Sequence, residues 1–245
     1  ASLAQLGQLD EAIERFQKII SIKPDHADAH NNVGNAFKSR GDFSLAIDSY
    51  KSAVKISPID ADAFFNLGNC QKEEGLIDEA IESFSQAVKI RSDFAEAHNN
   101  MGAAFQDNGD LDGSISSYKQ ALKIKPDYAE AHNNLANVLK EKGDLDAAID
   151  GYKQAIIIKP DSAESHNNLA NILANQGSLD AAIDSYRQAI KIKPDFANAY
   201  CNLGDTLKQQ GKIDSAIDSY RNAIEIKADY ADAHNNLGIA LENTG

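Results

Sequence analysis

The sequence predicts an all-α protein, a row of helix–turn–helix hairpins stacked one on the next. Three observations predict it. The block that starts at Ala27 recurs from residues 61, 95, 129, 163 and 197, a fixed step of 34 residues without insertion or deletion. Glycine stands at one fixed place in every block, and all five prolines stand at another. Between these breaks, small and large residues alternate as closely packed helices require.

With Ala27 counted as position 1, the first helix opens the block. Its position 8 is always small: Gly34, Gly68, Gly102, Ala136, Ala170, Gly204 and Gly238. Position 15 is glycine throughout: Gly7, Gly41, Gly75, Gly109, Gly143, Gly177, Gly211 and Gly245. Glycine just past an apolar-periodic stretch suits a left-handed helix terminus, which other residues enter only at steric cost. Acids such as Asp78, Asp112, Asp146, Asp180 and Asp214 then open the second helix at position 18, and Lys125, Lys159, Lys193 and Lys227 close it at position 31. Both placements complement the helix macrodipole. Pro24, Pro58, Pro126, Pro160 and Pro194 stop that helix at position 32. Within it, position 20 is nearly always alanine, and position 24 is aromatic in Phe16, Tyr50, Phe84, Tyr118, Tyr152, Tyr186 and Tyr220. These rings fill the space that the small residues leave.

Along the chain this gives one array over residues 1–245. It consists of a partial repeat at 1–26, full repeats at 27–60, 61–94, 95–128, 129–162, 163–196 and 197–230, and the first helix of a further repeat at 231–245. Copy 61–94 departs most, with Phe64, Phe65, Cys70, Ser92 in place of proline, and Gln71 at a position that is otherwise apolar. Gly113, Ser114 and Gly151 read as soft points in second helices. The last helix, around His234, Leu237 and Leu241, has no second helix to cover it. A repeat stack needs polar ends. The expectation is therefore a fragment of a longer array, with isolated molecules able to stack end to end.

Composition bounds the function. The chain is 42% hydrophobic, enough for a continuous core, and its formal net charge is −13. Such an acidic surface repels phosphate backbones and anionic lipid, so neutral or basic polypeptide is the expected partner rather than nucleic acid or membrane. No stretch reaches the roughly 18 consecutive apolar residues of a membrane span, and no basic-then-apolar leader opens the chain. Cys70 and Cys201 lie four repeats apart, too far to pair in a regular stack. Two isolated thiols suit a reducing compartment, here expected to be the cytoplasm.

No constellation for catalysis or cofactor binding appears. His30, His98, His132, His166 and His234 share position 4 with Phe64 and Tyr200, an exchange that points to packing. Equivalent positions in successive repeats lie roughly 10 Å apart, given usual helix spacings, whereas zinc ligands sit about 2 Å from the metal. There is no nucleophile–base set, phosphate loop or cysteine cluster, and no break in periodicity of the kind an active site requires. The expectation is a non-enzyme without metal or cofactor.

Asparagine is the informative residue. Position 6 is Asn32, Asn66, Asn100, Asn134, Asn168, Asn202 and Asn236. Position 5 adds Asn31, Asn99, Asn133, Asn167 and Asn235, and position 9 adds Asn35, Asn69, Asn137 and Asn171. Asparagine is a mediocre helix former, so its mid-helix recurrence needs a reason. Positions 2, 6, 9 and 13 share one face of the first helix, opposite the packing residues at 4, 7, 8 and 11. Two readings stand. The amides brace adjacent repeats, or they form a ladder for a peptide main chain, because each carries both a donor and an acceptor. Position 2 is Asp28, Asp62, Glu96, Glu130, Glu164, Asn198 and Asp232, which suits a helix N-terminus and would favour Lys- or Arg-bearing peptides if it borders the ligand. Phe65, among asparagines at position 5, is a candidate anchor.

Small residues at positions 8 and 20, an aromatic at 24 and proline at 32 of a 34-residue unit resemble the tetratricopeptide repeat, and the likeness covers the whole chain. The resemblance implies antiparallel helix pairs wound into a right-handed superhelix, a solenoid whose first helices line a concave groove. The HNNLAN and YCNLG stretches are similar to the superhelical substrate-binding part of O-GlcNAc transferases, where a groove asparagine ladder grips peptides. That supports the ladder reading and names the peptide-binding candidates: the position-6 asparagines with Asn99, Asn133, Asn167, Asn137, Asn171 and Phe65. Chaperone-adaptor members clamp a carboxylate with lysine at positions 2 and 5 and arginine at 6, and this chain has none of these. The implied function is a scaffold for extended polypeptide. The alternatives are the substrate-recruiting arm of a larger transferase and a self-assembling structural solenoid.

Overall fold

The computed structural model describes residues 3–242, and every regular element among them is an α-helix. Helix α1 (Leu3–Ile22) precedes six hairpins: α2 (Ala27–Arg40) with α3 (Phe43–Ile56), α4 (Ala61–Glu73) with α5 (Ile77–Ile90), and α6 (Ala95–Asp107) with α7 (Leu111–Ile124). Next come α8 (Ala129–Glu141) with α9 (Leu145–Ile158), α10 (Ala163–Asn175) with α11 (Leu179–Ile192), and α12 (Ala197–Gln209) with α13 (Ile213–Ile226), before α14 (Ala231–Glu242). The helices fall into two compact units, one ending at Pro126 and one beginning at Asp127. In the first, α3 packs on α4 and α5 on α6, while α2 touches α4 and α4 touches α6. In the second, α9 packs on α10, α11 on α12 and α13 on α14, and the first helices α10, α12 and α14 meet in sequence.

Each hairpin turns at its position-15 glycine. Gly41 has φ 92°, and its N–H donates to the Lys38 carbonyl while the Asp42 N–H reaches back to that of Phe37. This double bond satisfies the last carbonyls of α2, and a side chain at Gly41 would strain it. Gly7 differs, because α1 runs straight through it. Gly245 lies outside the described residues.

The second helices begin at position 17, one residue before the acids at position 18, and position 16 caps them. There Asp110 and Asp144 accept from the Gly113 and Ala147 N–H groups. Proline is not needed to end them. At Arg91 and Lys227, which precede Ser92 and Ala228, the terminal N–H still bonds to Ala87 and Ala223. Proline reinforces a stop that the backbone also makes without it.

The interior follows the small–large pattern. The position-24 rings from Tyr50 to Tyr220 are buried, and a Cβ added at Gly34, Gly68, Gly102 or Gly204 would lie 2.5–2.9 Å from one of them. Gly151 is also a close approach: a Cβ there would meet that of Ala136 at 2.9 Å. Gln71, out of pattern in the sequence, is buried and accepts from the Ser83 hydroxyl at 2.6 Å. Cys70 and Cys201 are buried free thiols in different units. Burial pushes Cys70 up to about 11 and raises Cys201 as well, which keeps both protonated and unreactive.

Candidate functional site

The face of the first helices carrying positions 6, 9 and 13 is organised by one recurring motif. The position-9 side-chain oxygen accepts the position-24 phenol of its own repeat and the position-6 amide of the next. Asn137 Oδ1 takes the Tyr152 hydroxyl at 2.6 Å and Asn168 Nδ2 at 3.2 Å. Asn171 Oδ1 takes Tyr186 at 2.6 Å and Asn202 at 3.0 Å, and Asp205 Oδ1 takes Tyr220 at 2.8 Å and Asn236 at 2.9 Å. In the first unit Tyr50 bonds to Asn35 at 2.7 Å and Asn100 to Asn69 at 2.7 Å. One oxygen with two lone pairs thus ties a buried ring to its own helix and to the following repeat. Burial raises the phenols of Tyr50, Tyr152, Tyr186 and Tyr220, Tyr152 to about 12, so they remain donors at neutral pH.

These bonds do not exhaust the position-6 amides. Nδ2 carries a second hydrogen and Oδ1 a second lone pair. Two polar clefts in the second unit present such groups. One, about 340 Å³ between α10 and α12, is lined by Asn171, Asn175, Asn202, Asp205, Thr206 and Gln209. The other, about 360 Å³, is lined by Glu130, Asn133, Asn134, Lys159, Glu164 and Ser165. Asn32 is exposed and Asn66 half-buried on the same face of α2 and α4.

Position 5 behaves differently from the expectation. Asn99, Asn167 and Cys201 are buried, and Asn133 Oδ1 is engaged by the Ser165 hydroxyl of the next repeat at 3.1 Å. Phe65 is no free anchor, since its ring packs 4.8 Å from that of Phe94 and 6.0 Å from that of Phe84. Asn99 and Asn167 are thus part of the interior, and Phe65 packs on rings of its own repeat. Asn99 Nδ2 donates to Asn100 Oδ1 at 3.3 Å and Asn167 Nδ2 approaches Asn168 Oδ1 at 3.5 Å, while the buried Asn167 Oδ1 has no partner.

The position-2 acids also have local partners. Asp62 pairs with Arg91 at 2.6 Å and Glu96 with Lys125 at 3.6 Å, where the second helix of a repeat ends beside the start of its first. These pairs are solvent-exposed and stabilise little. Position-4 histidines staple the turn before them. Nε2 of His30, His166 and His234 lies 2.9–3.1 Å from the Pro24, Pro160 and Ala228 carbonyls, and His98 reaches Ser92 at 3.3 Å. Because a carbonyl only accepts, the ring donates from Nε2. Among the described residues no group of three or more His, Cys, Asp or Glu side chains converges as a metal site, and no helix is long and apolar enough to cross a membrane.

Asn175, Asp205 and Gln209 line a cleft without having stood out in the sequence. Asp205 was discernible, as the one carboxylate at a position that is asparagine in four other repeats. The link from position 24 to position 9 also left a trace, because tyrosine pairs with Asn or Asp in four of the repeats between 27 and 230.

The model for the cilia and flagella-associated protein 70 C-terminal domain matches residues 2–195. Models for the TPR repeat and the tetratricopeptide repeat match residues 204–245 and 185–218. No curated protein matches the chain. Among solved structures, a chain of the APC/C hetero-tetramer Cut9–Hcn1 superposes with TM-score 0.75 at 18% identity, over 96% of this chain and 46% of that one. The present chain thus spans less than half of its length. MamA superposes with TM-score 0.63 at 27% identity, over 68% of this chain and 97% of its own. YrrB, described as a TPR protein with an unusual peptide-binding site, gives TM-score 0.63 at 20% identity, over 77% and 97%. The Cut9–Hcn1 and YrrB likenesses show the fold alone.

Proposed function

The chain belongs to the tetratricopeptide repeat family, through the model for the C-terminal domain of cilia and flagella-associated protein 70 that matches residues 2–195, and we propose that it is a non-catalytic scaffold holding extended polypeptide along its first helices. The observation that carries this reading is the polar cleft between α10 and α12, where amides from two repeats converge on one opening of about 340 Å³. An extended peptide presents an N–H and a C=O at each residue, and an amide side chain can answer both. The fold accommodates such use: a peptide-binding site is named for YrrB, which shares it. The amides proposed to contact ligand are those of Asn134 and Asn202 in the clefts, with Asn32, Asn66, Asn100, Asn168 and Asn236 as their periodic equivalents.

The test is replacement of Asn100, Asn134 and Asn168 by alanine, with peptide affinity and helical content measured together. Affinity should be lost while the helical signal persists, and unchanged affinity would remove the reading. A second, structural reading is favoured by the bonds from Asn168 to Asn137 and from Asn202 to Asn171. On that reading the same variants lose stability but never bound peptide. The role of recruiting arm for a larger transferase rests only on the resemblance of the HNNLAN stretches, and a transferase domain in the same polypeptide would decide it.

A further inference from the structure

Two departures from the repeat open acceptors into the same cleft. At position 9, Asp205 stands where Asn35, Asn69, Asn137 and Asn171 stand in other copies. Its Oδ1 accepts Tyr220 and Asn236 just as the Asn171 oxygen accepts Tyr186 and Asn202. The internal bonding therefore needs only an oxygen, which asparagine supplies. The negative charge is surplus to the fold, and placing a partly buried carboxylate there costs solvation. The second departure is at position 5. In three repeats an asparagine there turns its Nδ2 toward the position-6 oxygen: Asn99 to Asn100, Asn167 to Asn168 and Asn235 to Asn236. Beside Asn202 that residue is Cys201, which is buried and has no amide to offer. Asn202 Oδ1 therefore lacks the position-5 amide donor that Asn100 and Asn168 have.

From this geometry we infer that the cleft between α10 and α12 is a subsite for a guanidinium group, an arginine side chain of the bound polypeptide. This deepens, and rests on, the scaffold reading above. Asp205 Oδ2 takes none of the three contacts made to that carboxylate, all of which fall on Oδ1. Together with Asn202 Oδ1, and with the side-chain oxygens of Asn175 and Gln209 on the cleft wall, it provides acceptors from two helices. Five N–H donors in one plane match such a set better than the compact ammonium of lysine. Lys208 is the cation already nearby, 3.7 Å from Oδ1, longer than a normal N–H···O hydrogen bond. It reaches the carboxylate from its own helix and does not line the cleft. The position-2 acids, in contrast, have Arg91 and Lys125 as partners in the repeats where they pair. Within the cleft between α10 and α12, selection of a basic residue falls to Asp205, the one carboxylate among its lining residues.

The test uses N-acetylarginine methylamide as probe, its citrulline counterpart as the uncharged isostere, and the chain with and without Asp205→Asn. That variant restores the residue common at position 9 and keeps both internal bonds. Side-chain amide signals of Asn175, Asn202 and Gln209 are followed by heteronuclear NMR. Saturable shifts with the arginine probe are expected, with affinity about tenfold weaker for citrulline and about tenfold weaker in Asp205→Asn, the scale of one charged hydrogen-bonded contact. Equal affinity for both probes, an unchanged Asp205→Asn, or no shifts at all overturns the subsite. An uncharged extended peptide measured on the same samples separates the two readings. If it binds while arginine is not distinguished, the subsite falls and the scaffold stands. If it does not bind while the arginine probe does, the subsite stands and the scaffold falls.

Discussion

Asn202 donates from Nδ2 to Asn171 Oδ1 at 3.0 Å, across the junction between two repeats, while the buried Tyr186 hydroxyl occupies the other lone pair of the same oxygen at 2.6 Å. A residue that reads from the sequence as ligand-facing is therefore also a structural joint. The joint has consequences for stability that are independent of any ligand.

Replacing Asn171 by alanine leaves a buried phenol and an interfacial amide without their acceptor, and should cost about 2–3 kcal/mol. Asn171→Asp keeps the oxygen, as Asp205 does in the next repeat, and should cost less than the alanine variant, its remaining cost being the solvation of a partly buried carboxylate. Tyr186→Phe removes one donor together with its demand and should cost about 1 kcal/mol. Urea unfolding followed by circular dichroism ranks the three. Equal losses for the Ala and Asp variants would mean that the oxygen is not what holds the joint.

The parts of the fold that depend on local backbone chemistry were legible in the sequence. Glycine at position 15 and the small–aromatic pairing of positions 8 and 24 each have one physical explanation, and the hairpins fall where they predict. The face assignment was legible only in part. Position 6 and position 5 are one residue apart on a helix, and which of them faces the next repeat depends on how that repeat is rotated, which the period does not encode. The apolar Phe65 and Cys201 at position 5 were the hint that it is covered, and the asparagines around them masked it.

Gly204 tests the close approach. A Cβ there would lie 2.5 Å from the Tyr220 ring, the shortest such distance among the position-8 glycines. The ring cannot retreat without disturbing its bond to Asp205. Gly204→Ala should destabilise by about 1–3 kcal/mol, the usual range for overpacking, and Gly204→Val by more. Ala136 and Ala170 show that alanine can be built in where the neighbours suit it. A thermal midpoint unchanged in Gly204→Ala would show that the hairpin has that slack here too.

Ser114 offers the opposite sign. It stands at position 20, where the other full repeats have alanine, is fully buried, and its hydroxyl has no hydrogen-bond partner. Ser114→Ala removes the unsatisfied group and improves helix propensity, so stability should rise by about 1 kcal/mol. A midpoint that falls instead would mean that the hydroxyl has a partner in solution.

His98 makes the stack acid-sensitive at one junction. Its Nε2 donates to the Ser92 carbonyl, and its Nδ1 is buried with no partner. Burial lowers its pKa, outweighing the carbonyl bond that raises it. The folded form therefore binds the extra proton less readily than the unfolded chain. The unfolded imidazole takes up its proton near pH 6.5, so stability from this site is intact above that value and is lost as pH falls through it toward the lower folded value. Phenylalanine occupies the same position at Phe64, which makes His98→Phe a compatible replacement. In unfolding titrations between about pH 7 and 5, His98→Phe should lose less stability than the parent chain, with the difference confined to that window. Parallel curves would mean that His98 carries none of the acid response.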